Sequence, residues 1–435
     1  MLVAFATVPL ALNYLGPERY GLWMAASSLV LVFGVFADGG VIYSLITASA
    51  VANARGGAAA VREIIGSAWA ILVPIAGAMI LGTVALVPLV PWQRVFGLSD
   101  AGLAREATHV VQVVIIGLAL SFLVNVALKV RTGLQEIAAV RAWEGAVALA
   151  ALPALLLVIQ LKTSMAWLVA AIVGAPLLVK ALASVLFFRD RPQMRPGRED
   201  IGFRHARYIL GAGSVFFIIQ LSQAVAIQSD QVLIANLIGI EEVAAYSVMQ
   251  RLFSIPYILA NFVFAAQWPG FSDAAARGDL AWIRRSFLRV LAVSLAAAVI
   301  LTLGLALMHR PLLLIWGVAG AVQPDMALVA GTAVYAVLGV IVGACATLLV
   351  SLDMRRPQVG ISLAMMVVNL PLSIILIREI GSAGAIWGTA ISYLVCMVVP
   401  YAVIILRLFR EFAPPQGAAL AGNAESKRLS EAEMR

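Results

Sequence analysis

The sequence predicts an all-α integral membrane protein with about twelve transmembrane helices in two six-helix lobes. Of the 435 residues, 63% are hydrophobic and 12% are charged, whereas a soluble domain is about 45–50% apolar and about 25% charged. A helix needs about 20 apolar residues to cross a bilayer, and apolar runs near this length recur throughout the chain. Short Gly- and Pro-containing motifs recur at similar positions in the two halves. The composition excludes a soluble globular enzyme, a disordered protein and a nucleic-acid-binding module.

The predicted spans are joined by short polar connections, none of which could hold a soluble domain. In chain order they are Met1–Asn13, Tyr20–Ala50, Ile64–Val90, His109–Ala127, Ala142–Gln160, Met165–Phe188, Tyr208–Leu237, Val243–Gln267, Ser286–Met308, Met326–Leu352, Val359–Ile377 and Ala383–Leu406. The first run is too short to cross a membrane alone. Because apolar sequence begins directly at Met1, we expect a truncated first helix whose beginning lies upstream.

The positive charges predict the orientation of the chain. The even-numbered loops hold 16 Lys and Arg residues and the odd-numbered loops hold 6. Short cytoplasmic loops carry the excess of Lys and Arg, so the even-numbered side and both termini are predicted to be cytoplasmic. The formal net charge of +8 therefore reflects membrane topology and does not predict binding to nucleic acid.

Three landmarks predict an internal duplication. Gly16-Pro17 and Gly239-Ile240 follow the first span of each half, 223 positions apart, and Val95-Phe96-Gly97 and Ile315-Trp316-Gly317 follow the third, 220 positions apart. Pro153 and Pro371 lie in the fifth span of each half, 218 positions apart. Because each half has an even number of spans, the repeat is parallel, with its axis along the membrane normal. Transporters built from such halves bind substrate between them and alternate access by rocking.

The duplication sets the predicted domain boundaries. Residues 1–188 form the N-terminal lobe, with a short or truncated first helix, and 208–406 form the C-terminal lobe. Residues 189–207 form a basic cytoplasmic loop between the lobes, and 407–435 form a disordered cytoplasmic tail. The two cysteines lie in apolar runs without disulfide or metal-ligand spacing, so we expect no metal and no cofactor.

Two segments resemble a known family. The run from Pro9 to Trp23, which reads Pro-Leu-Ala-Leu-Asn-Tyr-Leu-Gly-Pro-Glu-Arg-Tyr-Gly-Leu-Trp, resembles the opening of bacterial polysaccharide flippases. Asp38-Gly39-Gly40 resembles the Asp-x-Gly segment of their second span. These flippases translocate lipid-linked oligosaccharides within the multidrug/oligosaccharidyl-lipid/polysaccharide exporter superfamily. The local match covers about residues 9–60, and the layout of spans matches over the whole chain.

The resemblance implies a V-shaped pair of lobes around a central cavity in the bacterial inner membrane. It also implies that an undecaprenyl-pyrophosphate-linked glycan is moved from the cytoplasmic to the periplasmic leaflet for surface polysaccharide biosynthesis. The implied partners are membrane lipids and the lipid-linked glycan, with a polysaccharide polymerase and glycosyltransferases as further candidates. The protein would then be a transporter and not an enzyme.

A polar stripe on the eighth span is the main candidate site. It lies on a face about 120° wide, at about 100° per residue, and comprises Ser247, Gln250, Arg251, Ser254, Tyr257 and Asn261. The stripe either lines the translocation cavity or forms hydrogen bonds between packed helices. In the first case Arg251 suits the pyrophosphate, because its planar guanidinium binds phosphate oxygens bidentately and stays charged.

The seventh span carries a second polar face that includes Gln223, Asp230 and Gln231. Asp230 and Arg251 lie about equally far from the intervening turn, so they could pair across the hairpin. The pair would either offset the cost of two buried charges or switch when substrate binds.

Two further sites remain open between a functional and a structural role. Asp38, beside Gly39 and Gly40, is either a cation or proton site or a carboxylate that accepts backbone N–H groups freed at a bend. Lys180 either faces the cavity or extends its long side chain to the interface.

Two other functions compete with glycan flipping. A cation-coupled multidrug exporter of the same superfamily predicts carboxylates clustered in the N-terminal lobe and an apolar cavity. A polytopic membrane glycosyltransferase predicts a large extramembrane loop or a cluster of Asp, Glu, His or Arg near one face. The sequence has neither the large loop nor such a cluster, and Asp38 and Glu144 are the N-terminal carboxylates within the spans.

Overall fold

The computed structural model describes residues 2–354 and 356–411. Within them the chain forms fourteen α-helices and no β-strand, which confirms the all-α class. Of the predicted disordered tail, residues 407–411 belong to the last helix, and the rest lie outside the described residues.

The N-terminal lobe begins with two long kinked helices. Its helices are α1 (Leu2–Asp38), α2 (Val41–Leu86), α3 (Trp92–Phe96), α4 (Ala101–Gly133), α5 (Ile137–Gln160) and α6 (Met165–Asp190). Asp100 precedes α4 and accepts hydrogen bonds from the backbone N–H groups of Gly102 and Leu103. These bonds place the pKa of the exposed Asp100 carboxyl below its usual range and satisfy two N–H groups that a helix start leaves unpaired.

The C-terminal lobe follows two short 3₁₀ turns, Pro192–Met194 and Arg198–Asp200. Its helices are α7 (Ala206–Leu237), α8 (Glu242–Ala276), α9 (Leu280–Leu307), α10 (His309–Ile315), α11 (Met326–Ser351), α12 (Arg356–Ile380), α13 (Ala383–Ser392) and α14 (Val399–Glu411). A π-helical turn, Tyr393–Val398, joins α13 and α14, so the predicted last span is one crossing with a local change of winding.

At two positions where a loop was predicted, the helix continues with a kink at a glycine. Gly16 (φ 77°) kinks α1 and Gly57 (φ 61°) kinks α2, where loops were predicted after the first and second spans. The helix breaks instead at Gly39 (φ 56°) and Gly40 (φ 79°), inside the predicted second span. Only glycine adopts such φ values readily, so the direction of the chain changes within a residue or two.

Ten helical segments of the described chain are long and apolar enough to cross a membrane. Each of α1 and α2 counts once among them although a kink divides each into two segments. The α7 helix, whose polar side chains were noted above, is not among the ten. The twelve predicted spans therefore lie on these ten segments and on α7, with the second span divided between α1 and α2.

The two lobes repeat one short motif. In each lobe a short helix, α3 or α10, ends close to a glycine in the left-handed region, Gly97 (φ 62°) or Gly317 (φ 75°). Both glycines belong to the landmarks that predicted the duplication. The parallel pseudo-symmetry of the fold is thus visible in its turns.

The inter-lobe connection is held by ion pairs. Glu136 at the start of α5 binds both Arg131, at 2.9 Å, and Arg191, and the guanidinium groups of both arginines lie over the ring of Phe187. Farther along, Asp200 binds Arg62 at 3.1 Å. The basic loop is therefore attached to the N-terminal lobe.

Candidate functional site: a polar cavity between the lobes

A cavity of about 420 Å³ lies between α1 of the N-terminal lobe and α7 and α8 of the C-terminal lobe. Its wall combines hydroxyl, amide and aromatic side chains with one arginine. The lining residues are Thr7, Val8, Tyr20, Trp23, Met24, Ser27, Ser28, Leu31, Ile172, Gln228, Gln231, Ser247, Gln250, Arg251 and Ser254.

The predicted stripe on α8 divides between two environments. Ser247, Gln250, Arg251 and Ser254 line the inter-lobe cavity. Tyr257 instead lines a second chamber inside the C-terminal lobe. Farther along the helix, Asn261 lines neither space and donates to the backbone oxygen of Tyr257 in the preceding turn, at 3.1 Å.

Arg251 has no carboxylate partner among the ion pairs of the described residues. The predicted pair with Asp230 is therefore wrong for this conformation. Similar depth along two helices does not fix how each is rotated about its own axis, and here the two side chains point to different environments. A cation in a membrane cavity is costly without water or an anion, so Arg251 is available to an anionic ligand.

Asp230 is fully buried and is not among the residues that line the cavity. Its Oδ2 accepts from the hydroxyls of Tyr246, at 2.7 Å, and Thr389, at 2.8 Å. The Ser373 hydroxyl lies near the same carboxylate, and Oδ1 has no hydrogen-bond partner among the described residues. The Asn369 amide donates to the Thr389 hydroxyl, at 2.9 Å, and the Asn369 Oδ1 also lacks a partner there.

The two unpartnered oxygens are unusual, because buried polar atoms are nearly always hydrogen-bonded. An unpartnered carboxylate oxygen such as that of Asp230 can take up a proton or a monovalent cation. Within the described chain there is no group of three or more His, Cys, Asp and Glu residues that could hold a metal ion. Gln250 connects the cluster to the cavity wall, since its amide donates to the Tyr246 hydroxyl at 3.0 Å.

The second chamber, of about 350 Å³, lies among α7, α8, α11 and the π-helical turn after α13. The predicted residue Gln223 lines it, and the Tyr393 hydroxyl donates to Gln223 Oε1 at 3.3 Å. Gln250 and Ser254 line both the chamber and the inter-lobe cavity. Lys180 lines neither space, and its electrostatic neighbours are Lys129 and Glu144 in the N-terminal lobe.

Asp38 lies at the bend between α1 and α2. Its Oδ1 accepts from the backbone N–H of Ile42, at 3.0 Å, which is one of the N–H groups that the start of α2 leaves without an intrahelical partner. Gly40 meets α7 closely, because a Cβ there would lie 2.4 Å from the Gly213 carbonyl oxygen. Asp38 therefore caps a bend that is packed against the other lobe.

Sequence reasoning missed the N-terminal wall of the cavity. Tyr20, Trp23, Ser27 and Leu31 of α1 line it. Their spacing of three or four residues places them on one helical face, which is the signal that could have found them. Tyr335 and Tyr393 of the chamber were also missed, because each lies in a largely apolar span with few polar neighbours, such as Thr332 and Ser392.

Two asparagines join the lobes at the end that carries the odd-numbered loops. Asn13 Nδ2 donates to the Gly317 carbonyl oxygen at 2.8 Å, from the N-terminal to the C-terminal lobe. Asn236 Nδ2 donates to the Arg94 carbonyl oxygen in the opposite direction. These contacts hold the turns of α3 and α10 against the other lobe.

The same end contains a close helix contact. A Cβ on Gly21 would lie 2.0 Å from the Ile240 carbonyl oxygen, so only glycine fits at this position. Together with the asparagine contacts, this packing closes the cavity toward that end of the molecule.

The sequence matches a model of a protein family. The model described as "Polysaccharide biosynthesis protein" matches residues 1–275. Among curated protein sequences, none matches the chain significantly.

The fold is similar to that of several solved transporters. An inward-facing multidrug resistance MATE family transporter of the MOP superfamily is 14% identical, with a TM-score of 0.75 over 95% of this chain and 96% of that chain. The lipid II flippase MurJ in an inward closed conformation is 13% identical, with a TM-score of 0.68 over 93% and 87%. An outward-facing MATE family transporter is 14% identical, with a TM-score of 0.57 over 94% and 95%. The likeness shows the two-lobed fold of these membrane transporters.

Proposed function

Because the chain belongs to the polysaccharide biosynthesis protein family, we propose that it flips an undecaprenyl-pyrophosphate-linked glycan across the bacterial inner membrane. The glycan is taken from the cytoplasmic leaflet and released in the periplasmic leaflet by alternating access of the two lobes. Both termini are cytoplasmic in this proposal, as the distribution of Lys and Arg predicts. Polysaccharide polymerase and glycosyltransferases are the proposed partners.

The observation that carries the proposal is the unpaired Arg251 in the cavity between the lobes. A guanidinium group can bind two phosphate oxygens at once, and its charge is not lost at neutral pH. Ser247, Gln250 and Ser254 surround it with neutral donors. The pyrophosphate head thus occupies the cavity while the prenyl chain stays in lipid.

The conformation is suited to uptake from the cytoplasmic leaflet. The contacts of Asn13 and Asn236 close the end that carries the odd-numbered loops, which the charge distribution predicts to be periplasmic. In agreement with this, the inward solved structures have higher TM-scores, 0.75 and 0.68, than the outward one, 0.57.

Asp230 is the proposed coupling site. The hydrogen-bonded route from Gln250 through Tyr246 reaches its carboxylate from the cavity wall. Protonation of Asp230, or binding of a monovalent cation beside its free oxygen, would remove the cost of an uncompensated buried charge. Asp38, by contrast, serves the bend between α1 and α2 as a helix cap.

An exporter of cationic drugs fits this cavity less well. Arg251 is the one charged side chain among the lining residues that the structure describes. It would repel a cationic drug and attract an anionic head, so the electrostatics favour the glycan flippase.

The test replaces Arg251 in purified protein reconstituted into liposomes with a fluorescent polyprenyl-pyrophosphate-linked glycan. Arg251→Ala should slow transfer between leaflets by about 10- to 100-fold, since hydrogen bonds to a charged group contribute about 1.5–3 kcal/mol. Arg251→Lys should retain part of the activity. Arg289→Ala, an exposed position on α9 outside the cavity, is the matched control. If Arg251→Ala transfers the lipid-linked glycan at the wild-type rate, the proposal is refuted.

A further inference from the structure

The second chamber, in the C-terminal lobe, is not used by the function proposed above. We propose that it is the binding subsite for the sugar ring next to the pyrophosphate, and that it selects an uncharged ring. This inference rests on the proposed function, because it assumes that a lipid-linked glycan occupies the adjoining cavity.

The chamber adjoins the proposed pyrophosphate site. Gln250 and Ser254 line both spaces. Arg251 and Tyr257 are six positions apart on α8, which corresponds to about 9 Å along the helix axis. One ligand can therefore have its phosphates at Arg251 and its first ring at Tyr257.

The wall of the chamber has the chemistry that recognises sugars. A pyranose ring presents C–H groups on its faces, which pack on aromatic rings, and hydroxyls at its edge. Tyr335 and Tyr393 meet edge to face with ring centroids 5.1 Å apart, and Tyr257 adds a third ring. The Tyr393 hydroxyl donates to Gln223 Oε1, so the amide N–H groups of Gln223 can donate to sugar hydroxyls.

Glycines of α11 make room for Tyr257. A Cβ on Gly343 would lie 3.2 Å from Cε2 of the Tyr257 ring, and one on Gly339 would lie 3.6 Å from Cδ2. The edge of the ring thus rests against α11 backbone, and 42% of the residue remains exposed. This arrangement holds the ring in place and leaves surface for a ligand.

The charge of the chamber selects the ligand. Its lining residues, as far as the structure describes them, include no Asp, Glu, Lys or Arg. Burying the carboxylate of a uronic acid without a cation is costly, whereas a neutral ring forms only hydrogen bonds and apolar contacts. The subsite therefore takes a neutral hexose or N-acetylhexosamine and rejects a uronate.

The experiment compares three probes with the full-length protein in lipid nanodiscs. The probes are polyprenyl pyrophosphate alone, the same lipid carrying glucose and the same lipid carrying glucuronic acid, which differ only in the attached ring. The glucose-bearing lipid should bind about 10-fold more tightly than the bare lipid, because one aromatic contact and its hydrogen bonds are gained. The glucuronic acid lipid should bind no more tightly than the bare lipid.

Variants connect this difference to the chamber. Tyr257→Ala should abolish the gain from glucose, measured for each variant relative to its own binding of the bare lipid, and Gln223→Ala should reduce the gain. Phe262→Ala is the control, because Phe262 lies on the same helix, is 67% exposed and lines neither space.

The proposal is overturned if the gain from glucose survives in Tyr257→Ala, or if glucuronic acid gives the same gain as glucose. Failure of the proposed function looks different. In that case Arg251→Ala would leave binding of bare polyprenyl pyrophosphate unchanged, whatever the chamber variants do.

Discussion

Asn13 and Asn236 each donate a hydrogen bond from one lobe to the other, in opposite directions. They are 223 positions apart, the offset of the first landmark of the duplication, and their acceptors, the carbonyl oxygens of Gly317 and Arg94, are 223 positions apart as well. In the landmark register Gly317 corresponds to Gly97, so the two acceptors differ by three positions, and the two contacts are only approximately related by the pseudo-symmetry axis. The paired contact closes one end of the cavity between the lobes.

We expect the double variant Asn13→Ala, Asn236→Ala to open this end more often. Each lost hydrogen bond contributes about 0.5–1.5 kcal/mol, so the closed population should fall several-fold. Spin labels on cysteines at Glu18 and Glu241, exposed positions in opposite lobes, should report longer distances by pulsed electron resonance. The two native cysteines are buried, which limits background labelling.

The control for this variant is Asn261→Ala, since Asn261 donates within its own helix. An unchanged distance distribution in the double variant would show that the asparagines do not hold the lobes together.

A methyl group at Gly21 should prevent closure of the same end. In Gly21→Ala the new Cβ would lie 2.0 Å from the Ile240 carbonyl oxygen, and a backbone atom cannot move away unless the lobes separate. The same labels should report a population shifted toward long distances, with slower transfer of substrate. Gly77→Ala, which meets open space, should behave as the wild type. Normal closure in Gly21→Ala would contradict the close packing.

Asp230→Asn should uncouple transport from its ion gradient. The amide oxygen can still accept from Tyr246 and Thr389, so the fold should be kept, but the side chain can no longer carry a negative charge. Transfer in liposomes should then become insensitive to an imposed proton or sodium gradient. Asp273→Asn, at an exposed surface pair with Arg277, is the control. A gradient response equal to that of the wild type would show that Asp230 is not the coupling site.

Glu136→Gln should destabilise the N-terminal lobe. Glu136 binds Arg131 and Arg191, and the Arg131 side chain is only 10% exposed. Leaving this guanidinium without its carboxylate should cost about 1–3 kcal/mol and lower the apparent unfolding temperature in detergent.

Glu144→Gln provides the comparison, because Glu144 forms an exposed pair with Arg141 three residues away. Such surface pairs contribute about 0–0.5 kcal/mol. Equal effects of the two substitutions would refute the structural role of the Glu136 cluster.

Some contacts of the candidate site could be predicted from the sequence and others could not. Ser247, Gln250, Arg251 and Ser254 face one cavity because they share a face of one helix, and that follows from sequence spacing. The partner of Asp230 did not follow, because Thr389 lies 159 positions away and neighbours so distant depend on how the helices pack. The positions of the kinks were only partly predicted, since a glycine run is compatible with a loop or a bend.

The sequence by itself determined the helical membrane class, the approximate spans and the duplication. These features depend on the local composition and periodicity of single helices. Each segment has them regardless of which segments pack against it. The tertiary structure alone decided that Arg251 is unpaired, that Asp230 is enclosed by Tyr246 and Thr389 and that Asn13 meets Gly317. Each of these contacts depends on the rotation and tilt of one helix relative to another, which packing of the whole molecule sets.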